Sequence, residues 1–330
     1  LTSARPIFVA AGMLLALVAA ACASLAYGAV HIPLGEVIDT LLGQKVPEAS
    51  RQIIEVLRLP RTVEAIVVGA ALGVAGACLQ GALNNPLASP DVIGVTAGAG
   101  FGAMLVLLFS PASVALLPIS ALAFGLIAAA MVFLIGFTGR GGGNITRIIL
   151  AGIAIAALFS AATAGLLSAY PDRVPNAVFF LVGGLTSSDG WDTLETIWPY
   201  LAVGFVIAAF MIRPLDRLML GDDVAASLGS RPRLIRLTAA FAAALLASAA
   251  AAIAGLLAFL GLVIPHLVRL LGGTRNHTFV IPVSALAGAA LLTAADTVAR
   301  TIAAPIEMPV GPFLVVLGVP LFLWLLRKAV

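Results

Sequence analysis

The stretch LMLGDDVAASLGSRPRLIR, residues 218–236, lies between two long apolar runs and carries two aspartates followed by three arginines. Asp222 and Asp223 suit a helix N-terminus, where aligned N–H groups favour negative charge. Gly229 suits the position just after a helix, and Pro232 prevents the helix from continuing. The pattern predicts a helix of about two turns, which is too short to be stable alone in water. It must therefore dock on another surface.

Two docking surfaces are open to this short helix. Val224, Ala225 and Leu228 are expected to share one face of it. That face could lie on the helices of its own chain. Alternatively, it could insert into a soluble partner, which would explain why an apolar chain is interrupted by a small charged segment.

The composition around this segment is that of a membrane protein. Of 330 residues, 62% are hydrophobic and 10% are charged, whereas soluble domains carry about 25% charged residues. Apolar runs of about 20 residues span a bilayer as helices. The sequence thus predicts an all-α polytopic membrane protein, a single domain over 1–330, with about ten transmembrane helices in a compact bundle. The runs are 7–28, 62–82, 92–110, 114–137, 148–169, 196–212, 237–258, 259–271, 279–295 and 309–326.

Several runs carry further structural signals. The first is interpreted as a membrane helix rather than a signal peptide, since every later run is also apolar. Runs 237–258 and 259–271 abut, which fits either a tight hairpin or one long kinked helix. The Gly- and Pro-rich stretches 83–94 and 305–312 predict breaks in regular helix. Gly69 and Gly73 have the spacing that lets helices pack closely in lipid.

The distribution of basic residues predicts the orientation. If the N-terminus is cytoplasmic and the ten runs alternate, twelve of the 18 Lys and Arg residues face the cytoplasm. This asymmetry agrees with the positive-inside rule. We therefore expect a multi-pass membrane protein with both termini in the cytoplasm.

Motifs of several other protein classes are missing from the sequence. There is no HExxH and no GxSxG, and GRGGGNIT at 139–146 lacks the ending of a phosphate loop. We expect no catalytic residue, no metal site and no nucleic-acid partner. Ion-coupled carriers usually need charged groups near the midplane of the membrane. Here Glu64 and Asp296 lie at the ends of runs, and only His266 and Arg269 fall well within one. These two residues could form a transmission element or a polar pair in a bent helix. Glu307 could line an outer opening or cap the following helix.

The segment 220–232 resembles the coupling segment of the iron–siderophore, haem and cobalamin permease family of ATP-binding-cassette (ABC) importers. The block RLPRTVEAIVVGAALGVAGACLQGALNNPLASPDVIGVTAGAG at 58–100 is similar to the most recognisable block of that family. So are FLGLVIPHLVRLLGGTRNH at 259–277, ADTVAR at 295–300 and EMPVGPFLVVLGVPLFLWLL at 307–326. Four ordered blocks make the resemblance extend over nearly the whole chain.

The resemblance implies a type II ABC importer permease of the bacterial inner (cytoplasmic) membrane, a single transmembrane permease domain over 1–330 with ten helices per subunit. It implies two permeases around a central path, two ATPase subunits that bind ATP and Mg²⁺, and a periplasmic or lipid-anchored substrate-binding protein. It leaves open whether the second permease is an identical copy, and favours a related chain. The resemblance also assigns residues to three roles. ATPase coupling falls on Gly221, Asp222, Asp223, Ala225, Ser227, Leu228 and Gly229; binding-protein docking falls on Arg58, Arg61 and Arg300; the cytoplasmic gate falls on Asn144, Ile145 and Thr146.

The amino-acid sequences of two segments indicate which substrate class the chain resembles most. NPLASPDVIGVTAGAG at 85–100 and VPNAVFFLVGGLTSSDGWD at 174–192 resemble ferric-siderophore and ferric-citrate permeases. Haem and cobalamin relatives more often read DPGLLG where this chain has SPDVIG at 89–94. The expected cargo is an intact ferric siderophore or ferric citrate. A haem or cobalamin permease is the alternative within the family, and an ion-coupled secondary transporter is the alternative of another class.

Overall fold

Long α-helices joined by short connections make up the computed structural model, which describes residues 4–137, 145–185, 190–304 and 306–329. Within those ranges there is no β-strand, which confirms the all-α prediction. The helices are α1 (Arg5–Ala26), α2 (Leu34–Leu41), α3 (Glu48–Gln52), α4 (Leu59–Ala82), α5 (Val95–Phe109), α6 (Leu117–Phe137), α7 (Ile145–Ala169), α8 (Val174–Val182), α9 (Gly190–Leu218), α10 (Asp222–Ser227), α11 (Pro232–Ala254), α12 (Leu260–Gly272), α13 (His277–Thr301) and α14 (Val310–Ala329).

The membrane-spanning helices agree with the predicted runs. In the described part of the chain, seven helices are long and apolar enough to cross a membrane, namely α1, α4, α6, α7, α9, α11 and α13. Three shorter apolar helices are α5, α12 and α14. Together they match the ten predicted runs one to one. Helices α2, α3 and α8 were not predicted, because they are much shorter than the ~20 residues on which a spanning run is recognised.

Helices α4, α11 and α13 form the centre of the bundle. They are largely buried, whereas α1 and α9 are largely exposed. The exposed side chains of these outer helices include large apolar groups such as Phe8, Leu15 and Phe210. In a membrane protein such side chains face lipid, so the polar-outside pattern of a soluble protein is not expected.

The close contact of α4 with α13 depends on small residues. A Cβ atom added at Gly69 would lie 2.3 Å from the Gly288 carbonyl oxygen, and one at Gly73 would lie 2.2 Å from that of Ser284. No real Cβ approaches a backbone oxygen so closely, so the two helices touch where side chains are missing. The predicted role of Gly69 and Gly73 in close packing is confirmed.

The predicted breaks in regular helix are present. The connection 83–94 between α4 and α5 is non-helical, and so is the described segment 306–309 before α14. Between α11 and α12 lie Gly255–Ala258 in non-helical conformation and Phe259 with φ of 69°. The abutting runs are therefore two helices joined by a short non-helical segment, and they do not form one kinked helix.

This non-helical segment meets two other helix ends inside the protein. The Gly184 amide donates to the Ala254 carbonyl at 2.9 Å, and the Leu256 amide donates to that of Phe180 at 3.1 Å. The Gly311 amide, at the start of α14, donates to the Gly183 carbonyl at 2.9 Å. Irregular backbone is tolerated at membrane depth only where its polar groups are satisfied by protein or water. Here the broken ends of α8, α11 and α14 satisfy one another.

Candidate functional site

The predicted short helix exists as α10, and its two ends have the expected features. Asp222 and Asp223 occupy its first turn. At its end, Gly229 adopts a φ of 76°, its amide donates to the Ala226 carbonyl, and the Ser230 amide donates to that of Ala225. This pair of hydrogen bonds is a Schellman motif, which glycine favours because it has no Cβ to clash in the left-handed region.

A partly buried arginine, Arg236, fixes α10 to the bundle. The Arg236 guanidinium donates to both carboxylate oxygens of Asp222 at 2.7 Å and 2.7 Å. The same side chain donates through Nε to the Ala82 carbonyl at 3.2 Å, at the last residue of α4. Bidentate arginine–carboxylate pairs have a defined geometry. Movement of α10 is thereby linked to the ends of both α11 and α4, and we call this side of the protein the α10 end.

The face of α10 differs in one respect from the prediction. Ala225 is fully buried, whereas Val224 and Leu228 are 47% and 56% exposed. Val224 and Leu228 are four residues apart and share a face, but Ala225 lies about 100° further round the helix. The prediction that all three share one face was wrong. Ala225 seats α10 on its own bundle, and Val224 and Leu228 form an outward apolar face.

The three predicted docking arginines cluster at the opposite end of α4, which we call the arginine end. Arg58 and Arg61 lie at the start of α4, and Arg300 lies near the end of α13. All three are buried, with exposures of 4%, 3% and 5% respectively. The helix α4 has 24 residues, which at 1.5 Å per residue separates the two ends by about 35 Å.

Arg58 stabilises the end of α1. Its Nη1 atom donates to the Leu25 carbonyl at 2.7 Å and to the Ala26 carbonyl at 2.9 Å, and its Nη2 atom donates to the Val30 carbonyl. The last carbonyls of a helix have no partner within the helix. The guanidinium therefore bonds carbonyls at the end of α1, among them that of Ala26, which also accepts from the Ile32 amide.

Arg61 binds two carboxylates at once. Its Nε and Nη2 atoms donate to the two oxygens of Asp296, at 3.0 Å and 3.0 Å, in a buried bidentate pair. Its Nη1 atom lies 2.5 Å from Oε2 of Glu307, which is 56% exposed. No described contact shows Glu307 capping α14. Its carboxylate instead covers the solvent-facing side of the Arg61 guanidinium.

Arg300 completes the cluster. Its Nη2 atom donates to the Ser24 carbonyl and, at 2.8 Å, to the Ser24 hydroxyl. Its Nε atom lies 3.8 Å from an oxygen of Asp296. The Ser24 hydroxyl also shares a hydrogen bond of 2.7 Å with that of Thr62. Arg300 therefore joins α1 to α13, next to the Arg61 pair.

Glu64 belongs to this cluster and was not assigned a role from the sequence. It lies three residues after Arg61, hence on the same side of α4, and it is buried with no described hydrogen-bond partner for Oε2. Three guanidinium groups thus lie among three carboxyl groups, those of Glu64, Asp296 and Glu307. Charges buried in this way must be paired. The sequence signal was a glutamate inside an apolar run, three residues after Arg61, but Asp296 and Glu307, which complete the cluster, lie far away in the chain.

The docking and gate predictions have different outcomes. The structure brings Arg58, Arg61 and Arg300 together at one end, but it buries them, so in this conformation they serve internal carbonyl and carboxylate groups. A docking role for them stays a prediction. For the gate, Asn144 lies outside the described residues, and Ile145 and Thr146 are the first two residues of α7. The gate role also stays a prediction.

Comparison with known proteins identifies the family of this fold. A profile of the FecCD transport family matches residues 15–328. The chain belongs to the FecCD transport family. An Fe(3+)-citrate import system permease protein of Bacillus subtilis is 36% identical over 324 residues, covering 98% of this chain and 96% of the relative. A hemin transport system permease protein of Yersinia pestis is 39% identical over 279 residues, covering 82% of each chain.

A solved structure supports the family at the level of the fold. It is described as a proposed metal-chelate type ABC transporter in an inward-facing conformation, and the match has a TM-score of 0.84 with 31% identity. It covers 97% of this chain and 99% of the other. As a member of the FecCD family, the chain is a multi-pass membrane permease subunit of an ABC importer. The predicted fold class and family are confirmed.

Proposed function

We propose that this chain forms the membrane path of an importer for an intact ferric siderophore or ferric citrate. A separate ATPase subunit, which binds ATP and Mg²⁺, drives the transport. The observation that carries this proposal is the outward apolar face of α10, formed by Val224 and Leu228 and held by the Arg236–Asp222 pair. An apolar face on so short a helix is costly in water, and a hydrophobic cleft in a partner subunit would remove that cost.

Coupling would work through the contacts of α10. A partner that closes on nucleotide binding would move Leu228, and the bidentate pair would transmit this movement to α11 and α4. In the orientation proposed from the basic residues, the α10 end faces the cytoplasm, as do both termini. The partners are two ATPase subunits and a second permease, for which a related chain is favoured over an identical copy.

The assignment of the substrate rests on the amino-acid sequence of the connection 83–94. The citrate and hemin relatives have similar identities to this chain, 36% and 39%. Identity alone therefore does not rank the substrates. The segment SPDVIG at 89–94 packs inside the protein, since a Cβ at Gly152 would lie 2.3 Å from the Val92 carbonyl. The identity of the residues at 89–94 therefore affects the shape of the protein interior, through which we propose that the cargo passes.

Uptake into proteoliposomes tests both parts of the proposal. Vesicles would hold the permease, its ATPase and its loaded binding protein, and radioiron uptake would be measured for ferric siderophore, ferric citrate and haem, with and without ATP. ATP-dependent uptake of one ferric chelate is expected. Uptake of haem alone would reassign the substrate, and flux that follows an ion gradient without ATP would replace the importer by a secondary carrier.

Leu228→Asp tests the coupling in the same assay. A charge on the apolar face is expected to lower uptake at least about tenfold, since losing one well-packed anchor of an interface costs ~2 kcal/mol. The protein should remain in the membrane, because Leu228 is exposed. The control is Leu42→Asp, which changes an exposed leucine outside α10. Unchanged uptake by Leu228→Asp, or equal losses in the two variants, would refute coupling through α10.

Docking of the binding protein at the arginine end makes a separate prediction. Because Glu307 already occupies the exposed side of Arg61, an acidic residue of the binding protein would have to displace it. Glu307→Gln should then tighten binding of the binding protein severalfold, and this gain should shrink in high salt. The dissociation constant can be measured with immobilised permease. An unchanged or weaker affinity would contradict docking on Arg61.

A further inference from the structure

A cavity of about 580 Å³ opens at the α10 end, away from the exposed face of α10. It lies between the end of α4, the connection that follows it, and the α12–α13 corner. Its lining includes Asn84, Asn85, His266, Arg269, Arg275 and His277. None of the described residues that line it is acidic. The cavity is thus large enough for a small ligand, and its charged walls are cationic.

One lining side chain has a buried atom without a partner. His277 is 2% exposed; its backbone N–H donates to Asp216 Oδ1 at 2.7 Å, and its Nδ1 atom lies 2.7 Å from the same oxygen. In the described structure, its Nε2 atom has no hydrogen-bond partner. A Cβ at Gly81, which also lines the cavity, would lie 2.5 Å from Nε2. Buried polar atoms are nearly always bonded, so His277 presents an unpaired polar atom in the wall of the cavity, against Gly81.

The neighbouring charges decide which kind of occupant fits. Asp216, from α9, holds Nδ1 and so fixes the orientation of the imidazole. Arg269, from α12, donates through Nη1 to Gln80 Oε1 and has further N–H groups in its planar fork. With Arg275 beside Arg269, these guanidinium donors would repel a metal cation. They would attract a compact anion with several acceptor oxygens.

We propose that this cavity binds a phosphate group, carried either by a membrane phospholipid or by a free phosphate anion. The guanidinium groups of Arg269 and Arg275 around one concave site match the acceptor geometry of phosphate. The coupling proposed for α10 and the docking proposed for the arginine end give no role to the basic residues that line the cavity. The two residues that the sequence offered as a polar pair, His266 and Arg269, line this site together and share no described hydrogen bond.

The rim of the cavity fits a phospholipid. Arg5 of α1 donates to the Leu271 and Leu270 carbonyls at 2.7 Å and 3.0 Å, which places the start of α1 beside the α12–α13 corner. Ile7 and Phe8 follow on α1 and are 71% and 73% exposed. An acyl chain could therefore lie on α1 while its headgroup phosphate reaches the cavity. Basic pockets between membrane helices bind anionic headgroups in this way.

The histidines provide a direct test, since the sequence contains only three of them. The full-length chain would be labelled with ¹⁵N-histidine and placed in nanodiscs of phosphatidylcholine, or of equal parts phosphatidylcholine and phosphatidylglycerol. A third sample, in detergent, would be titrated with inorganic phosphate. The His277 signal, assigned with His277→Gln, is expected to shift when the phosphate ligand binds, because His277 lies in the wall of the cavity.

Two matched variants test the site itself. Arg275→Gln removes an exposed guanidinium of the cavity and should weaken the apparent affinity for the anion about tenfold, the effect of one charge-assisted hydrogen bond. Arg231→Gln removes an exposed guanidinium at the same end that does not line the cavity, and it should leave the affinity within about twofold.

Each outcome has one meaning. A His277 shift with phosphatidylglycerol alone identifies a lipid headgroup, and a shift with inorganic phosphate as well identifies a free-anion site. A His277 signal that no phosphate ligand moves would mean that water fills the cavity, and the proposal would fall. Equal effects of the two arginine variants would reduce the interaction to general charge attraction and would also overturn it.

Discussion

Single residues at the arginine end carry the highest density of buried charge in the structure's described ranges. Arg61 and Asp296 form a bidentate pair that is almost wholly inaccessible to solvent, while Glu307 reaches the same guanidinium from the surface. Removing one partner of a buried pair leaves an uncompensated charge, whereas an exposed partner is readily replaced by water. The two carboxylates on Arg61 should therefore contribute very unequally to stability.

Asp296→Asn is expected to lower the free energy of unfolding by about 3 to 5 kcal/mol, because Arg61 and Arg300 both lose their buried counter-charge. Glu307→Gln, the matched control, should cost about 1 kcal/mol or less. Thermal unfolding of the two variants in detergent measures the difference. A similar loss in both would mean that the Arg61–Asp296 pair is not what stabilises this end.

At the scale of the element, α10 was well anticipated because its signals are local. Two acids, a glycine and a proline fix its start and end, and each acts on residues within one turn. The direction of its faces was not anticipated, because it depends on how α9 and α11 approach α10. Ala225 faces them, and Val224 and Leu228 do not.

Gly229→Ala tests how far the end of α10 matters for coupling. A residue other than glycine pays about 1 to 2 kcal/mol in the left-handed region, and Gly229 has no neighbour within 4 Å, so strain would be the only effect. We expect faster hydrogen exchange at 219–231 and uptake lowered severalfold. The control is Gly165→Ala, at a helical position with equally open surroundings. Equal exchange in both variants would contradict a strained end.

On the scale of the whole molecule, the bundle is held by backbone contact between α4 and α13. The contact exists because Gly69 and Gly288 face each other, each against the carbonyl oxygen of the other. Without water to drive burial between helices in lipid, such close packing is a main source of stability. The two ends of α4 carry the arginine cluster and the α10 contacts, so this packing also fixes the distance between them.

Gly69→Val should force the two helices apart and lower the free energy of unfolding by about 3 kcal/mol, at the upper end for overpacked sites. Gly12→Val is the control, since nothing lies within 4 Å of Gly12 on α1. Size-exclusion profiles after heating would compare the variants. If Gly69→Val were as stable as the control, the α4–α13 contact would not be the centre of the fold.

The sequence by itself determined the class, the ten spans, the helix breaks and the existence of α10, because hydropathy, proline, glycine and capping act over a few neighbouring residues. The motifs also predicted the family correctly. Only the tertiary structure decided the surroundings of the charges. Arg61 pairs with a residue 235 positions away, and Arg58 caps a helix that ends 32 positions earlier. The cavity beside His277 likewise exists only where three separate parts of the chain meet, namely 80–86, Met219 and 266–277. Pairing and burial depend on which segments come together in space, and no local pattern encodes that.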